Sequence, residues 1–298
     1  MTDQAEGLRR LAEQVNTKTD REETETRRSA RTRIIAIASG KGGVGKSNLS
    51  VNLSIALSDL GRKVLLLDAD LGLANVNVLL GVIPKYNLFH VIKGERKISE
   101  IVLRVPQGID IIAGASGFTE LANLNSEYRK RIIKDLNSIQ NYDYIIVDTA
   151  AGVSHNVLSF IQASDEVIII TTPEPTSITD AYGIIKAIVN ENFKDIRIVI
   201  NRIGNIIEGK KVSDKIIRIS QQFLNIAITN LGYMFDDEAL VRAVKSQEAV
   251  LRSSPASKVS RSIVNLAQIV DNRVSAAAPE RERNARSFFD LFLKKNKR

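Results

Sequence analysis

Residues 34–47 read IIAIASGKGGVGKS, and this stretch decides the fold class. Its first five residues are all apolar, which is typical of a β-strand that is buried on both faces. Residues 40–47 then fit the pattern G-x-x-x-x-G-K-[ST], which binds phosphate where it joins a strand to a helix. The glycines allow a tight turn in which successive backbone N–H groups point at phosphate oxygens. The stretch therefore predicts a strand, a phosphate-binding loop and a helix that together hold a nucleotide.

Each side chain of the phosphate-binding loop has an expected role. We expect Lys46 to neutralise the β- and γ-phosphates of ATP and Ser47 to ligate Mg²⁺, assisted by the positive end of the following helix. Lys41 is a second lysine that phosphate binding does not require, and it could reach the nucleotide of a facing subunit. The predicted cofactor site for ATP or ADP comprises Gly42, Gly43, Val44, Gly45, Lys46, Ser47 and Asn48.

The rest of the chain alternates between short apolar runs and helical stretches. Runs without polar alternation are typical of strands buried on both faces, and helical connections between them favour a mainly parallel sheet. We find no internal repeat, so the pattern predicts one doubly wound α/β P-loop domain over residues 34–272. The further apolar runs are residues 64–67, 109–112, 144–147, 167–171, 196–200 and 231–234.

Three aspartates stand at the ends of two of these runs. Because ligands bind at the carboxyl ends of parallel strands, Asp68, Asp70 and Asp148 are all expected to face the phosphates. We interpret Asp148 as the Walker B residue that holds Mg²⁺ through its water shell, and Asp70 as the residue that orients an attacking water. Asp68 is interpreted as a support of the metal site, with a helix N-cap as the alternative. Gly152 can present its N–H to the γ-phosphate and so sense hydrolysis.

Composition excludes several classes of site. The 298 residues include no cysteine and only two histidines, which excludes disulfides, iron–sulfur clusters and thiol nucleophiles and disfavours a histidine-rich metal site. The formal net charge of +8 is unevenly placed, since residues 279–298 carry +4 and residues 1–33 carry +1, which leaves +3 for the residues between. Basic residues concentrated in a short tail favour a local anionic partner over a broad nucleic-acid-binding face.

The two ends of the chain differ in composition from the central domain. Residues 1–12 hold a short helical pattern within a predicted partner-binding segment of residues 1–15, and residues 16–33 are so polar and charged that they predict a disordered linker. Residues 273–280 include the sequence SAAAP and are expected to form a hinge. The chain begins without a signal-peptide pattern and holds no apolar run of about 18 residues, so we expect a cytoplasmic protein.

Residues 281–298 have the pattern of a basic amphipathic helix. Their apolar side chains recur at helical spacing, and their basic side chains lie off that stripe or at the end of the chain. Such a helix lies in the interface of an anionic membrane, although a last helix that packs on the core is the alternative. The predicted membrane-binding residues are Phe288, Phe289, Phe292, Leu293, Lys294 and Lys295.

The loop with its extra lysine, the Asp68-x-Asp70 pair and DTAAG at residues 148–152 resemble the signature of the deviant Walker family of MinD and ParA ATPases. The resemblance runs from about residue 34 to residue 272. Further stretches resemble the FlhG group of that family, also called FleN or YlxH, whose members control flagellar number and placement. These stretches are LGLAN at 71–75, HVIKGE at 90–95, GASG at 114–117 and TTPEPTS at 171–177. Near the N-terminus, a DQAxxLR motif of this group is matched by Asp3, Gln4, Ala5, Leu8 and Arg9.

The resemblance implies a slow, Mg²⁺-dependent ATPase that forms a face-to-face homodimer with ATP. In that dimer Lys41 of each subunit would touch the other subunit's nucleotide, and Lys41, Lys46 and Asp70 would be the catalytic residues. Asn201 and Arg202 match the family's adenine-contacting pair. The resemblance further implies that the N-terminal motif activates the GTPase FlhF, and that a bacterial membrane surface and flagellar switch-ring proteins are partners.

Three other functions compete with this interpretation. A ParA-type partition protein that binds DNA non-specifically needs basic clusters on the core, where the net charge is only +3, and specific nucleic-acid binding is not expected. An iron–sulfur carrier is excluded because the chain has no cysteine. A scaffold with an inactive phosphate loop conflicts with the presence of Lys46, Ser47, Asp70 and Asp148.

Overall fold

The computed structural model describes residues 32–70, 74–114, 139, 141–191, 193 and 195–272. The predicted partner-binding segment 1–15, the hinge 273–280 and the membrane-binding segment 281–298 lie outside these residues. All but the last two residues of the predicted linker 16–33 lie outside them as well. The functions assigned to these segments therefore stay predictions.

The described residues form one sheet of eight strands in the order β3-β4-β2-β5-β1-β6-β7-β8. All neighbouring strands in it are parallel except β3 and β4. Each predicted apolar run is a strand, whereas the two-residue β3 was not predicted because it is too short to carry a pattern. The strands are β1 (Arg33–Ser39), β2 (Val64–Ala69), β3 (Leu103–Arg104), β4 (Asp110–Ile112), β5 (Tyr144–Ala151), β6 (Glu166–Thr171), β7 (Ile196–Ile203) and β8 (Thr229–Phe235).

Helices connect most successive strands and cover both faces of the sheet, which confirms the predicted α/β fold. The described helices are α1 (Lys46–Asp59), α2 (Val76–Leu79), α3 (Leu88–Ile92), α4 (Ile98–Ile101), α5 (His155–Ala163), α6 (Pro175–Asn190), α7 (Ile206–Leu224), α8 (Glu238–Lys245), α9 (Val250–Ser253) and α10 (Lys258–Asn272).

The central strand β1 shows why its sequence lacks polar alternation. Its side chains point alternately to the two faces of the sheet, and both faces are covered. Ile35 shares a buried cluster with Leu53 of α1 and Ile263 of α10. The next residue, Ala36, lies in a second cluster with Ile184 of α6. Every position of the strand is therefore apolar because each side meets a layer of helices.

Three strands extend past their apolar runs and include polar residues that were expected at the ends of the strands. Strand β2 continues through Asp68, β5 continues through Asp148, and β7 continues through Asn201 and Arg202. Asp68 and Asp148 are opposite each other in the register of β2 and β5. Asp68, Asp148 and Asn201 can be buried here because they find hydrogen-bond partners at the carboxyl edge of the sheet. These three residues and Arg202 lie on strands, whereas Asp70 and Gly152 directly follow strands.

The start of β1 and the end of α10 meet at the opposite, amino-terminal edge of the sheet. Arg33 Nη1 donates a hydrogen bond of 3.0 Å to the Val270 carbonyl. Asp271 accepts hydrogen bonds from Arg62 and from the Tyr144 hydroxyl, at 2.8 Å and 3.0 Å. These contacts fix both ends of the described core on the side away from the phosphate-binding loop.

Candidate nucleotide-binding site

The phosphate-binding loop, residues 40–47, connects β1 to α1. Gly43 and Gly45 have φ angles of +79° and +97°, a left-handed backbone conformation that residues with a Cβ rarely adopt. A Cβ on Gly45 would also collide with the side-chain amide of Asn201. Gly45 is the N-cap of α1, so the loop ends where backbone N–H groups of the helix can bind an anion. The local sequence therefore builds the expected phosphate-binding turn.

The loop lysine and the Walker B aspartate form a buried ion pair. Lys46 Nζ lies 3.0 Å from Asp148 Oδ1, and the two side chains are only 9% and 1% exposed. Ser50, one helical turn after Lys46, donates to the same carboxylate oxygen at 2.8 Å. The structure thus brings together the two residues that the sequence assigned to phosphate and metal. Here the lysine is neutralised by a protein carboxylate.

The second carboxylate oxygen of Asp148 fits a metal site. Oδ2 is buried and has no hydrogen-bond partner among the described residues. A buried oxygen without a partner is costly, so a ligand that reaches it is favoured. Mg²⁺ is typically bound through one or two carboxylates together with water and substrate phosphates. Asp148 and the predicted hydroxyl ligand Ser47, which lies in the first turn of α1, therefore fit this ion.

Asp68 is completely buried and holds the segment that follows β2. Its Oδ2 accepts hydrogen bonds from the backbone N–H groups of Asn75 and Val76, at 3.1 Å and 3.2 Å, and its Oδ1 accepts one from Asp70 N–H at 3.1 Å. Burial, and then the nearby charge of Asp148, raise the pKa of Asp68 to about 7. These bonds join the Asp68 carboxylate to the start of α2, whose N-cap residue is Asn75. Its support of a metal stays a prediction.

Two groups were predicted to act on the γ-phosphate. Asp70 is half-buried directly after β2, at the carboxyl edge where the prediction requires it. The backbone N–H of Gly152 donates a hydrogen bond of 2.8 Å to the Ser39 carbonyl at the end of β1. Contact between this N–H and a γ-phosphate therefore requires the bond to Ser39 to be exchanged. The roles of both groups stay predictions.

Lys41 contacts residues of its own subunit. Its Nζ lies 3.2 Å from Glu174 Oε2 and 3.2 Å from Thr176 Oγ1, both at the N-terminal end of α6. The Lys41 and Glu174 side chains are 42% and 54% exposed, so water screens their attraction. Exposed ion pairs of this kind contribute little free energy. Lys41 can therefore leave Glu174 at low cost, and its predicted contact with a second subunit stays a prediction.

Asn201 and Arg202 support the backbone of the phosphate-binding loop. Asn201 is 1% exposed, and its Nδ2 donates to the Val44 carbonyl at 2.8 Å. Arg202 donates from Nη2 to the Gly43 carbonyl at 3.0 Å and has a left-handed φ of +56°. Such strained backbone conformations recur at functional sites. Contact with adenine stays a prediction for this pair, but its contact with the loop is a second role that the sequence did not indicate.

Sequence reasoning overlooked Ser50 and gave Glu174 no role of its own. The position of Ser50 offered a signal, because a residue four positions after Lys46 lies on the same face of the helix. Glu174 offered no such signal apart from its place in the TTPEPTS stretch. Its contact with Lys41 joins residues 133 positions apart, which sequence spacing does not predict.

Comparisons with known proteins show the family of this chain. A family model described as an AAA domain matches residues 32–201. The chain is 42% identical over 248 residues to the antiactivator FleN of Pseudomonas aeruginosa, a match that covers 83% of this chain and 89% of that protein. It is 35% identical over 266 residues to the flagellum site-determining protein YlxH of Helicobacter pylori, covering 88% and 90% of the two chains.

A solved structure extends the likeness to three dimensions. The septum site-determining protein MinD from Pyrococcus horikoshii, complexed with Mg-ADP, matches with a TM-score of 0.68 and 27% identity, covering 84% of this chain and 100% of that chain. The matched AAA domain runs from the start of β1 through Asn201, and so includes the phosphate-binding loop and all three aspartates. The chain therefore belongs to the MinD/ParA family of P-loop ATPases, in the group that includes FleN and YlxH.

Proposed function

We propose that this chain is an ATP-driven switch that regulates the number or placement of flagella. The observation that supports it most is the buried Lys46–Asp148 pair, whose second carboxylate oxygen has no partner among the described residues. Its chemistry suits a nucleoside triphosphate with Mg²⁺. The similar MinD structure from Pyrococcus horikoshii is a complex with Mg-ADP, the diphosphate form of such a ligand. The flagellar role is supported by the likeness to the antiactivator FleN and the site-determining YlxH.

In the proposed reaction the chain mainly positions groups and neutralises charge. Lys46 exchanges Asp148 for the β- and γ-phosphates, while loop N–H groups donate to phosphate oxygens. Asp70 accepts a hydrogen bond from the attacking water and orients it toward the γ-phosphate. Ser47 and Asp148 would hold Mg²⁺, which neutralises charge on the phosphates when it is bound.

ATP is proposed to join two subunits face to face. Lys41 then leaves Glu174 and Thr176 and contacts the nucleotide of the partner subunit. Each site lacks this cation until the dimer forms, so a monomer turns ATP over slowly. Light scattering with ADP and with a non-hydrolysable ATP analogue tests this step. A protein that stays monomeric with the analogue would overturn it.

The C-terminal tail is proposed to bind the membrane. Among the described residues, no helix is both long and apolar enough to cross a bilayer. Inserting the four large apolar side chains of the tail could gain on the order of 6–10 kcal/mol before ordering costs, which are of comparable size. One tail should therefore bind weakly, whereas two tails on one dimer bind with higher avidity.

The position of the end of α10 supports an indirect link between nucleotide binding and membrane binding. The helix α10, which precedes the tail, ends beside Arg33 at the edge of the sheet opposite the phosphate-binding loop. A γ-phosphate bound at the loop would therefore act on membrane affinity through dimerisation and not through direct contact with the start of the tail. Hydrolysis would release the protein by separating the two tails.

Co-sedimentation with phosphatidylglycerol vesicles tests the membrane proposal. Binding should be stronger with a non-hydrolysable ATP analogue than with ADP, should weaken with salt and should be lost in Phe289→Glu. Phe223→Glu is the matched control, because Phe223 lies on α7, outside the predicted membrane-binding segment, and is already 66% exposed. Vesicle binding that is equally strong with ADP and with the ATP analogue would contradict the proposal. Binding to long duplex DNA in place of vesicles would favour the alternative of a partition protein.

The N-terminal segment is proposed to activate the GTPase FlhF. It is too short for a stable isolated helix, so it would order on its partner. Glutamine orients the attacking water in several GTPases, which makes Gln4 the candidate activating side chain. A peptide of residues 1–15 should stimulate FlhF, and a Gln4→Ala peptide should not. Equal stimulation by both peptides would remove Gln4 from the mechanism.

A further inference from the structure

Ser50 is a buried hydroxyl that the proposed reaction does not yet use. It is 0% exposed and lies one helical turn after Lys46 on α1. Its Oγ has two acceptors within reach, namely the Lys46 carbonyl at 3.1 Å and Asp148 Oδ1 at 2.8 Å. A hydroxyl has only one proton to donate, so the two acceptors compete.

The carboxylate is the stronger acceptor. A serine inside a helix commonly donates to the carbonyl four residues earlier, which here belongs to Lys46. The bond to Asp148 is shorter, and a bond to an ionised acceptor is roughly twice as strong as a bond between neutral groups. We therefore assign the proton of Ser50 to Asp148 Oδ1.

We propose that Ser50 is a positioning residue that orients the carboxylate of Asp148 toward the metal. Lys46 and Ser50 both donate to Oδ1, and Oδ2 is buried without a hydrogen-bond partner among the described residues. This inference rests on the proposed Mg²⁺ site. When ATP draws Lys46 away to the phosphates, Ser50 is the donor that continues to hold Oδ1. Without it the carboxylate can rotate, because the terminal torsion of aspartate has a broad energy minimum.

The same helix offers a matched control. Ser54 is also 0% exposed, and its Oγ donates to the Ser50 carbonyl at 2.7 Å. Ser54→Ala therefore removes the same atom from the same helix at the same burial, but removes no donor from Asp148. Ser50→Thr keeps the hydroxyl and provides the conservative rescue.

The test measures binding of a fluorescent ADP to the full chain as Mg²⁺ is titrated. In Ser50→Ala the Mg²⁺ concentration for half-maximal binding should rise roughly 10-fold, as for other residues that orient a metal ligand. Binding of ADP without metal should not change, and ATPase measurements should show a lower kcat with little change in KM. Ser54→Ala should resemble wild type, and Ser50→Thr should recover most of the Mg²⁺ affinity. Thermal unfolding of each variant verifies that it is folded.

The outcomes separate the two proposals. If wild-type ADP binding does not depend on Mg²⁺, the proposed metal site fails. If wild type depends on Mg²⁺ but Ser50→Ala has the same Mg²⁺ dependence as Ser54→Ala, the positioning role of Ser50 is overturned. If Ser50→Ala does not fold, Ser50→Thr provides the test. A Ser50→Thr protein that needs a much higher Mg²⁺ concentration than wild type for half-maximal ADP binding would overturn the positioning role, because that variant retains the hydroxyl donor.

Discussion

Replacing Lys46 by methionine should destabilise the nucleotide-free protein as well as abolish nucleotide binding. Methionine keeps most of the length of lysine but carries no charge. The variant would leave Asp148, which is 1% exposed, without its cationic partner. If Lys46 served only to bind phosphate, its replacement would not lower the stability of the nucleotide-free protein.

The structure sets the size of this effect. Removing one partner of a buried ion pair costs about 3–5 kcal/mol, because the remaining charge stays buried without compensation. The hydrogen bond from Ser50 to Asp148 remains in the variant, so we expect the lower end, about 3 kcal/mol. For a domain of this size, that loss lowers Tm by roughly 6–12 °C.

Thermal and urea unfolding without nucleotide measure the loss. The double variant Lys46→Met/Asp148→Asn should lose less stability than the sum of the single variants, because neither charge remains. Lys41→Met is the control, since its partner Glu174 is exposed and exposed pairs contribute little. A Lys46→Met protein that unfolds at the wild-type temperature would refute the buried pair.

Four further predictions follow from the site. Asp70→Ala should bind ATP and dimerise but fail in a phosphate-release assay, and wild-type hydrolysis would show that Asp70 does not orient the water. Lys41→Ala should bind nucleotide without forming the ATP-dependent dimer, and a normal dimer in light scattering would contradict its role. Asn201→Ala should bind fluorescent ADP more weakly because the Val44 carbonyl loses its donor; unchanged affinity would remove this support role. Burial raises the pKa of Asp68 from 3.8 to about 7, so the folded state holds its proton more tightly than the unfolded state. The free energy of unfolding should therefore fall as pH rises from about 4 to 7, and Asp68→Asn should flatten this slope. An equal slope in both proteins would contradict the assignment.

The sequence predicts the strands and the phosphate-binding turn because both depend on local patterns. A strand buried on both faces is apolar at successive positions, as in residues 34–38, and a left-handed turn favours glycine, as at Gly43 and Gly45. The positions of Lys46 and Ser47 at the start of α1 follow from the same motif. These features need no knowledge of distant residues, so the sequence is sufficient for them.

Contacts between distant residues could not be predicted in this way. Asn201 donates to the Val44 carbonyl across 157 positions, and Glu174 accepts from Lys41 across 133. Periodicity places each of these residues at the carboxyl edge of the sheet but does not say which neighbours they meet there. The same limit applies to the buried polar residues near the ends of β2, β5 and β7, because their partners come from α1, from the segment after β2 and from the phosphate-binding loop.

The partners of the site residues also bear on how a complete phosphate-binding motif would work in the slow switch that we propose. Lys46 is bonded to Asp148 and Gly152 N–H is bonded to Ser39, so ATP must replace protein acceptors before these groups reach its phosphates. In the proposed mechanism the exchange at Lys46 breaks a buried pair, a cost that the charges of the nucleotide phosphates and their metal would offset. The exchange at Lys41 breaks an exposed pair and costs little, so the proposed dimerisation would meet only a small barrier there. The costly exchange therefore belongs to nucleotide binding and the inexpensive one to the proposed dimerisation.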